Sequence, residues 1–349
     1  MADKDRYQVL IASYLEPELV ERIRQVDSRL HVVYEPDLLR PPRYPADHKG
    51  QPFGRTEEQE SRWRAHLETT DILFDFDITH HDDLPALAPN LQWIQATSSG
   101  IGQFVKRRGY DRSLPKTLFT TARGVHAQPL AEFCLLSMLM WSKRLSHIQH
   151  EQAHKHWERS ASTDLAGRNL CIVGVGAVGQ EVARAARALR MYVIGIELHT
   201  EGIEPASLHL DELYPSARLH EVLRRSEFLI LAAPHTSKTE KMLGKTELDL
   251  LPKGAVLINI GRGALIDEKA LIEALSSGHL GGAFLDVFEE EPLPSESPLW
   301  EMPNVLISPH SASTSDRENS RITDLFCENL RQFLAGESLL NRLDLEKLY

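Results

Sequence analysis

The chain has 349 residues, 42% of them hydrophobic, a formal net charge of −11 and three cysteines. That length exceeds one ordinary core and implies two domains at roughly 150 residues each, while the acidic balance excludes a nucleic-acid binder, whose phosphates require a positive surface. Cys134, Cys171 and Cys327 are odd in number and widely spaced, the usage of a reducing compartment. The N-terminal stretch has no apolar secretion signal, and the longest apolar segment, residues 130–141, contains Glu132 and is too short to cross a bilayer. The chain reads as soluble and cytoplasmic.

The first strand is predicted over residues 7–14 and the first helix over 16–25, where Pro17 is tolerated in the opening turn. Residues 40–54 carry four prolines and two glycines and read as a surface loop, followed by a helix over 57–67 and strands over 71–76 and 91–95. Thr97, Ser98, Ser99, Gly100, Ile101 and Gly102 form a small-residue turn after the last of these. It lies at the carboxyl edge of the sheet, where open α/β sheets place ligands, and its N–H groups can hold a carboxylate. From Pro129 to about His147 the pattern is one long helix, apolar almost all round, and therefore buried between domains or subunits. His150, His154 and His156 follow, interleaved with Glu151 and Lys155, and read as a solvated helix end rather than a metal site.

A strand at 170–173, a helix at 180–190 and a strand at 191–196 frame Gly174, Gly176 and Gly179, which fall on a G-x-G-x-x-G spacing. Gly174 serves the tight turn, Gly176 the approach of backbone to a pyrophosphate, and Gly179 the close packing of helix on strand. The helix N-terminus adds free N–H groups and a partial positive charge for phosphates. Glu197 stands 18 residues after Gly179, near the offset at which an acid bonds the adenosine ribose. Together these describe a dinucleotide cradle.

Further strands are predicted at 228–232, 255–260, 282–287 and 305–308, a capped helix at 267–277 and a terminal helix at 324–334. Three strand ends then carry chemistry: Asn259 to Gly263, Asp286 to Pro292, and Ser308-Pro309-His310. A nicotinamide cofactor moves a hydride but cannot manage the accompanying proton, so an alcohol or carbonyl substrate needs an acid/base. His310 is the natural candidate, and Glu291 can orient its ring and stabilise its charged form. Arg262 has the planar fork that binds a carboxylate in two bonds, and its flanking glycines let a ligand approach.

These stretches resemble the D-isomer-specific 2-hydroxyacid dehydrogenase family, most strongly from Gly167 to Ala312, with Glu291 29 positions after Arg262 and His310 19 positions after Glu291. The resemblance implies an α/β fold of two doubly wound parallel-sheet domains, a Rossmann NAD domain (122–316) inserted into a flavodoxin-like substrate domain (1–121, completed by 317–349). It implies that Arg262 binds the substrate carboxylate and polarises its carbonyl, that His310 is the acid/base and that Glu291 pairs with it. It further implies that Gly174, Gly176, Ala177, Val178, Gly179, Glu197, Pro234 and Asp286 bind the cofactor, with the N–H groups of Ala177 and Val178 on the pyrophosphate and Asp286 on the carboxamide. Ser99, Gly100 and Ile101 occupy the place where the family's first domain holds the substrate carboxylate. The expected reaction is hydride transfer between NAD(H) and a D-2-hydroxy/2-oxo acid such as glyoxylate or hydroxypyruvate. The long apolar helix resembles the family's dimer element, so a homodimer is expected.

Glu197 would repel a 2′-phosphate, and the following Leu198-His199 lacks the arginine of phosphate-accepting members, which favours NAD over NADP. Arg190 stands where a glycine often begins the second strand, and residues 40–54 are longer than in many members. Lys106, Arg107 and Arg108 read as a solvated run rather than a phosphate site, and Trp157 lies where some members lend a tryptophan to the partner subunit. Formate or phosphite oxidation and a cofactor-sensing, corepressor-like binding protein are the alternatives. Glu291 speaks against formate, whose oxidation releases no proton that needs a base.

Overall fold

Short runs rich in Val, Ile, Leu and Phe form twelve strands among the described residues, because strands buried on both faces of a parallel sheet tolerate no polar alternation. The computed structural model describes residues 6–346. The first five residues, part of the stretch read above for a secretion signal, and residues 347–349, the end of the stretch expected to complete the first domain, lie outside them. The chain divides into two units, one running to Val125 and resuming at Thr314, the other spanning His126–Ser313.

In the first unit β1 (Tyr7–Ile11), β2 (Leu30–Val33), β3 (Ile72–Phe74), β4 (Trp93–Gln95) and β5 (Leu118–Thr120) pair in parallel in the order β2-β1-β3-β4-β5. This is the flavodoxin-like order, with its topological switch point between β1 and β3. The helix Pro17–Arg24 opens on proline, whose missing N–H costs nothing there. A capping box starts the helix Glu57–Thr69: Gln59 N donates to Thr56 Oγ1 and Thr56 N to Gln59 Oε1. The late helix Glu318–Ala335 returns to this unit and packs Phe326 and Phe333 on Trp93, with ring centroids 5.1 and 5.7 Å apart.

In the second unit β6 (Asn169–Val173), β7 (Tyr192–Glu197), β8 (Glu212–Pro215), β9 (Phe228–Leu231), β10 (Ala255–Asn259), β11 (Leu280–Leu285) and β12 (Val305–Ile307) form one parallel sheet in the order β12-β11-β10-β9-β6-β7-β8. Its switch point lies between β6 and β9, as in a Rossmann domain. One apolar cluster covers each face of the sheet. Cys134 and Cys171 are buried there as free thiols, and burial pushes both up, Cys171 to about 12.

The expected single apolar helix is two helices, Ala127–Ser142 and Leu145–Ala153, separated where Arg144 adopts a left-handed φ of 55°. Nor is it buried all round: Leu130, Cys134 and Met138 are packed, whereas Leu136, Leu139 and Ile148 are 49%, 39% and 49% exposed. Arg190 takes a φ of 60°, so it fills a backbone position that ordinarily favours glycine. No described helix is long and apolar enough to cross a membrane.

Candidate active site

The loop leaving β6 shows a separate reason for each of its three glycines. Gly174 has a φ of 93°, and a Cβ there would lie 2.7 Å from Ala233 N. A Cβ on Gly179 would lie 2.2 Å from the Gly174 carbonyl oxygen, so this glycine lets the helix Ala177–Ala188 sit against the loop. A Cβ on Gly176 would meet nothing within 4 Å. Its lack of a side chain serves no neighbour in the protein and leaves an open cradle at the helix start, which fits a pyrophosphate. Ala177 and Gly176 are exposed, and no side chain caps this helix. Glu197, at the end of β7, closes the loop from the other side: Oε2 accepts from Val175 N at 2.9 Å and Oε1 from Leu198 N at 2.8 Å.

The strand ends β9 to β12 bring the chemistry-bearing residues together on the same edge. Gly261 packs where a Cβ would be 2.9 Å from Ala233 O, next to the exposed Pro234, and Gly263 packs on the Phe288 carbonyl, 1.9 Å from where its Cβ would stand. The glycines around Arg262 thus admit neighbouring backbone. They set the exposed Arg262, whose Nη1 donates to Gly261 O at 2.7 Å, beside the 286–292 segment.

Within that segment Glu291 is held at both oxygens. Oε1 accepts from Phe288 N at 3.1 Å and Oε2 meets His310 Nδ1 at 2.8 Å. The other ring nitrogen of His310 is thereby directed away from Glu291, and the side chain is 49% exposed. His310 itself has a left-handed φ of 53°, and its N–H donates to Asp286 O and Ser308 O at 2.9 and 3.0 Å. Asp286 Oδ1 in turn accepts from the Ser308 hydroxyl at 2.6 Å, Ser311 N at 2.8 Å and Ala312 N at 2.9 Å. Burial pushes the Asp286 carboxyl up while these donors and His310 pull it down. Asp286 therefore shapes the turn that presents His310, and the sequence reading, which quoted Ser308 without a role, missed this connection. Its only sequence signal was a hydroxyl residue two places before the histidine.

In the first unit, Ser99 and Gly100 are exposed and Ile101 is buried at the end of β4, and Ala122 N donates to Ser98 O at 3.1 Å. His235, beside Pro234, carries a buried Nε2 with no hydrogen-bond partner among the described residues. Among the described residues Glu151, in the last turn of the helix Leu145–Ala153, and the exposed His156 and Glu158 beyond it bring ligand-type atoms within 4.8 Å of one another.

Residues 135–312, just over half of the chain, match the family model for the D-isomer specific 2-hydroxyacid dehydrogenase NAD binding domain. A glyoxylate reductase of Korarchaeum cryptofilum is 33% identical over 62% of this chain and 66% of its own length. A D-3-phosphoglycerate dehydrogenase of Methanocaldococcus jannaschii is 31% identical over 63% of this chain, and the match spans only 41% of that enzyme. A D-isomer specific 2-hydroxyacid dehydrogenase of Xanthobacter autotrophicus Py2, solved in complex with NADPH and MES, superposes with a TM-score of 0.76 at 25% identity, covering 99% of this chain and all of that one.

Proposed function

Because the chain belongs to the D-isomer specific 2-hydroxyacid dehydrogenase family, we propose that it reduces a small 2-oxo acid, of the glyoxylate or hydroxypyruvate kind, to the D-2-hydroxy acid with NADH. The observation that carries this reading is the His310–Glu291 contact at 2.8 Å on the same sheet edge as Arg262. When bound, the dinucleotide supplies the hydride; Gly174, Gly176, Ala177, Val178, Gly179, Pro234 and Asp286 are the residues that would hold it.

This chain's own residues do the rest. The Arg262 guanidinium binds the substrate carboxylate and draws electron density from the C2 carbonyl, and Ser99, Gly100 and Ile101 offer backbone donors to the carboxylate. His310 donates its proton to the C2 oxygen as negative charge develops there. Glu291 fixes the ring orientation and stabilises the imidazolium before transfer.

The preference for NADH rests on Glu197, a carboxylate at the second strand end, where a 2′-phosphate would meet like charge; the Xanthobacter relative was solved with NADPH. The exposed Leu136, Leu139 and Ile148 support a homodimer, and a soluble, cytoplasmic enzyme fits the buried free thiols. A screen of glyoxylate, hydroxypyruvate, 3-phosphohydroxypyruvate, formate and phosphite with both nicotinamide dinucleotides tests the reading. Turnover confined to formate or phosphite, or tight NADH binding without turnover of any oxo acid, overturns it.

A further inference from the structure

We propose that Asp75 is a specificity-determining residue, accepting a hydrogen bond from a hydroxyl group on C3 of the substrate acid. This rests on the reading of the turn at Ser99, Gly100 and Ile101 as the carboxylate holder, and it extends that reading to the rest of the substrate.

The first sheet places its switch point between β1 and β3, and ligands of open α/β sheets bind outside the carboxyl ends of the strands at that point. Ser13 follows β1 and Asp75 follows β3, so the two flank it. Their registers are tied by backbone bonds: Ala12 N donates to Phe74 O at 2.9 Å and Asp75 N to Gln95 O at 2.7 Å. Asp75 therefore stands one strand, about 4.8 Å, from the β4 end that leads into the turn. A substituent on C3 of an acid whose carboxylate sits at that turn reaches one strand spacing and no further.

Asp75 is built in with unusual care. Its φ is 67°, a conformation that L side chains rarely adopt, and such residues persist where their surroundings over-determine them. Phe76 N donates to its Oδ1 at 2.9 Å, and burial pushes its carboxyl up while His48, Phe76 N and Thr97 draw it down. His48 from the neighbouring loop and His81 both lie within charge-interaction range of it.

That loop is the long 40–54 segment, and its internal structure delivers His48. The Asp47 carboxylate gathers Arg43 Nε at 2.6 Å, Lys49 N at 3.2 Å and Gly50 N at 3.1 Å. Gly50, at a φ of 62°, lies so close that a Cβ would be 2.4 Å from Arg40 Cβ. His48 Nδ1 and Ser13 Oγ are hydrogen-bonded at 3.0 Å, while His48 Nε2 is shielded and has no partner among the described residues. An insertion so thoroughly tied down fixes the imidazole of His48 against Ser13 at the end of β1.

The same edge is a poor place for a phosphate. Lys106, Arg107 and Arg108 are exposed at the far end of the helix Gly102–Arg107, and Arg108 is engaged by Asp82. Asp75 stands at that edge, while the oxygens of the buried Asp77, two residues on, are taken by Trp63 Nε1 and Thr79.

The test compares hydroxypyruvate with glyoxylate, which has no C3. Asp75→Gly removes the carboxylate while accepting the backbone angle, and Asp75→Asn keeps the shape without the charge. Any general loosening of the turn slows both acids and cancels in the ratio of their kcat/KM values. The expected result is a fall of about tenfold or more in the hydroxypyruvate-to-glyoxylate ratio for Asp75→Gly, and a rise in the use of 3-phosphohydroxypyruvate for Asp75→Asn. An unchanged ratio, with both acids reduced, overturns the role of Asp75 and leaves the proposed function standing. If the parent enzyme reduces neither acid, the proposed function fails and this inference with it.

Discussion

His310 Nδ1 lies 2.8 Å from Glu291 Oε2, on a side chain that is itself half exposed. The histidine packs against little, so His310→Ala leaves the fold intact and removes only the proton donor. Turnover of the best 2-oxo acid is expected to fall by roughly 10² to 10⁴, with the NADH dissociation constant nearly unchanged. Steady-state kinetics alongside fluorescence titration of NADH separates the two, and near-parental turnover would sink the mechanism.

Gly176 and Gly179 lie three residues apart and should respond in opposite ways. Gly179→Ala forces a Cβ to within 2.2 Å of a backbone oxygen, and overpacking of that severity costs about 3 kcal/mol. Gly176→Ala has open space around it, so its stability stays within about 1 kcal/mol of the parent while dinucleotide affinity drops. Thermal denaturation with and without NADH distinguishes the pair: equal losses of stability would contradict the assignment.

Both oxygens of Glu197 accept backbone N–H groups, from Val175 and Leu198, which holds its charge at the end of β7. NADH is therefore expected to outperform NADPH by about tenfold or more in kcat/KM, since like-charge contact costs several kcal/mol and 1.4 kcal/mol is already a factor of about ten. Glu197→Ser should narrow the gap from the NADPH side. A parent enzyme that favours NADPH would refute the role given to this carboxylate.

The Asp47 carboxyl is held down to about 2, from an ordinary 3.8, chiefly by the Arg43 guanidinium. A group whose pKa is lower in the folded state stabilises above its unfolded value and loses that contribution as pH falls through its folded value. Protection of the Lys49 and Gly50 amides against hydrogen exchange should accordingly decline between about pH 4 and pH 2. In Asp47→Asn it should be weak already at neutral pH. Unchanged protection in that variant would show that the loop holds His48 by other means.

Much of the architecture was legible because buried parallel strands announce themselves as apolar runs: β1, β3, β4, β6, β7 and β9 to β12 all fall within the expected stretches or within two residues of them. The strands that escaped notice lack that signature. β2 exposes His31, β5 runs straight into the polar Thr120-Thr121, and β8 is an edge strand of half-buried residues ending in Pro215. Each is a strand because a neighbour pairs with it, which no local pattern records. The break at Arg144 escaped for another reason: Ser142, Lys143 and Arg144 include no proline or glycine to mark a stop, and only the backbone shows the left-handed turn.

What the sequence determined by itself is local and covalent in reach: the spacing of Gly174, Gly176 and Gly179, the apolar periodicity of the strands, the caps of the helices, and the residue types able to move a proton or bind a carboxylate. That Phe288 N holds the other oxygen of Glu291 as it meets His310 was decided only in three dimensions, where β11 and β12 lie side by side. So were the clasp of Asp286 on the 308–312 turn and the meeting of Ser13 and His48 beside the switch point of the first sheet. Hydrogen bonds act over about 3 Å, and strand order rather than distance along the chain decides which side chains come within that range.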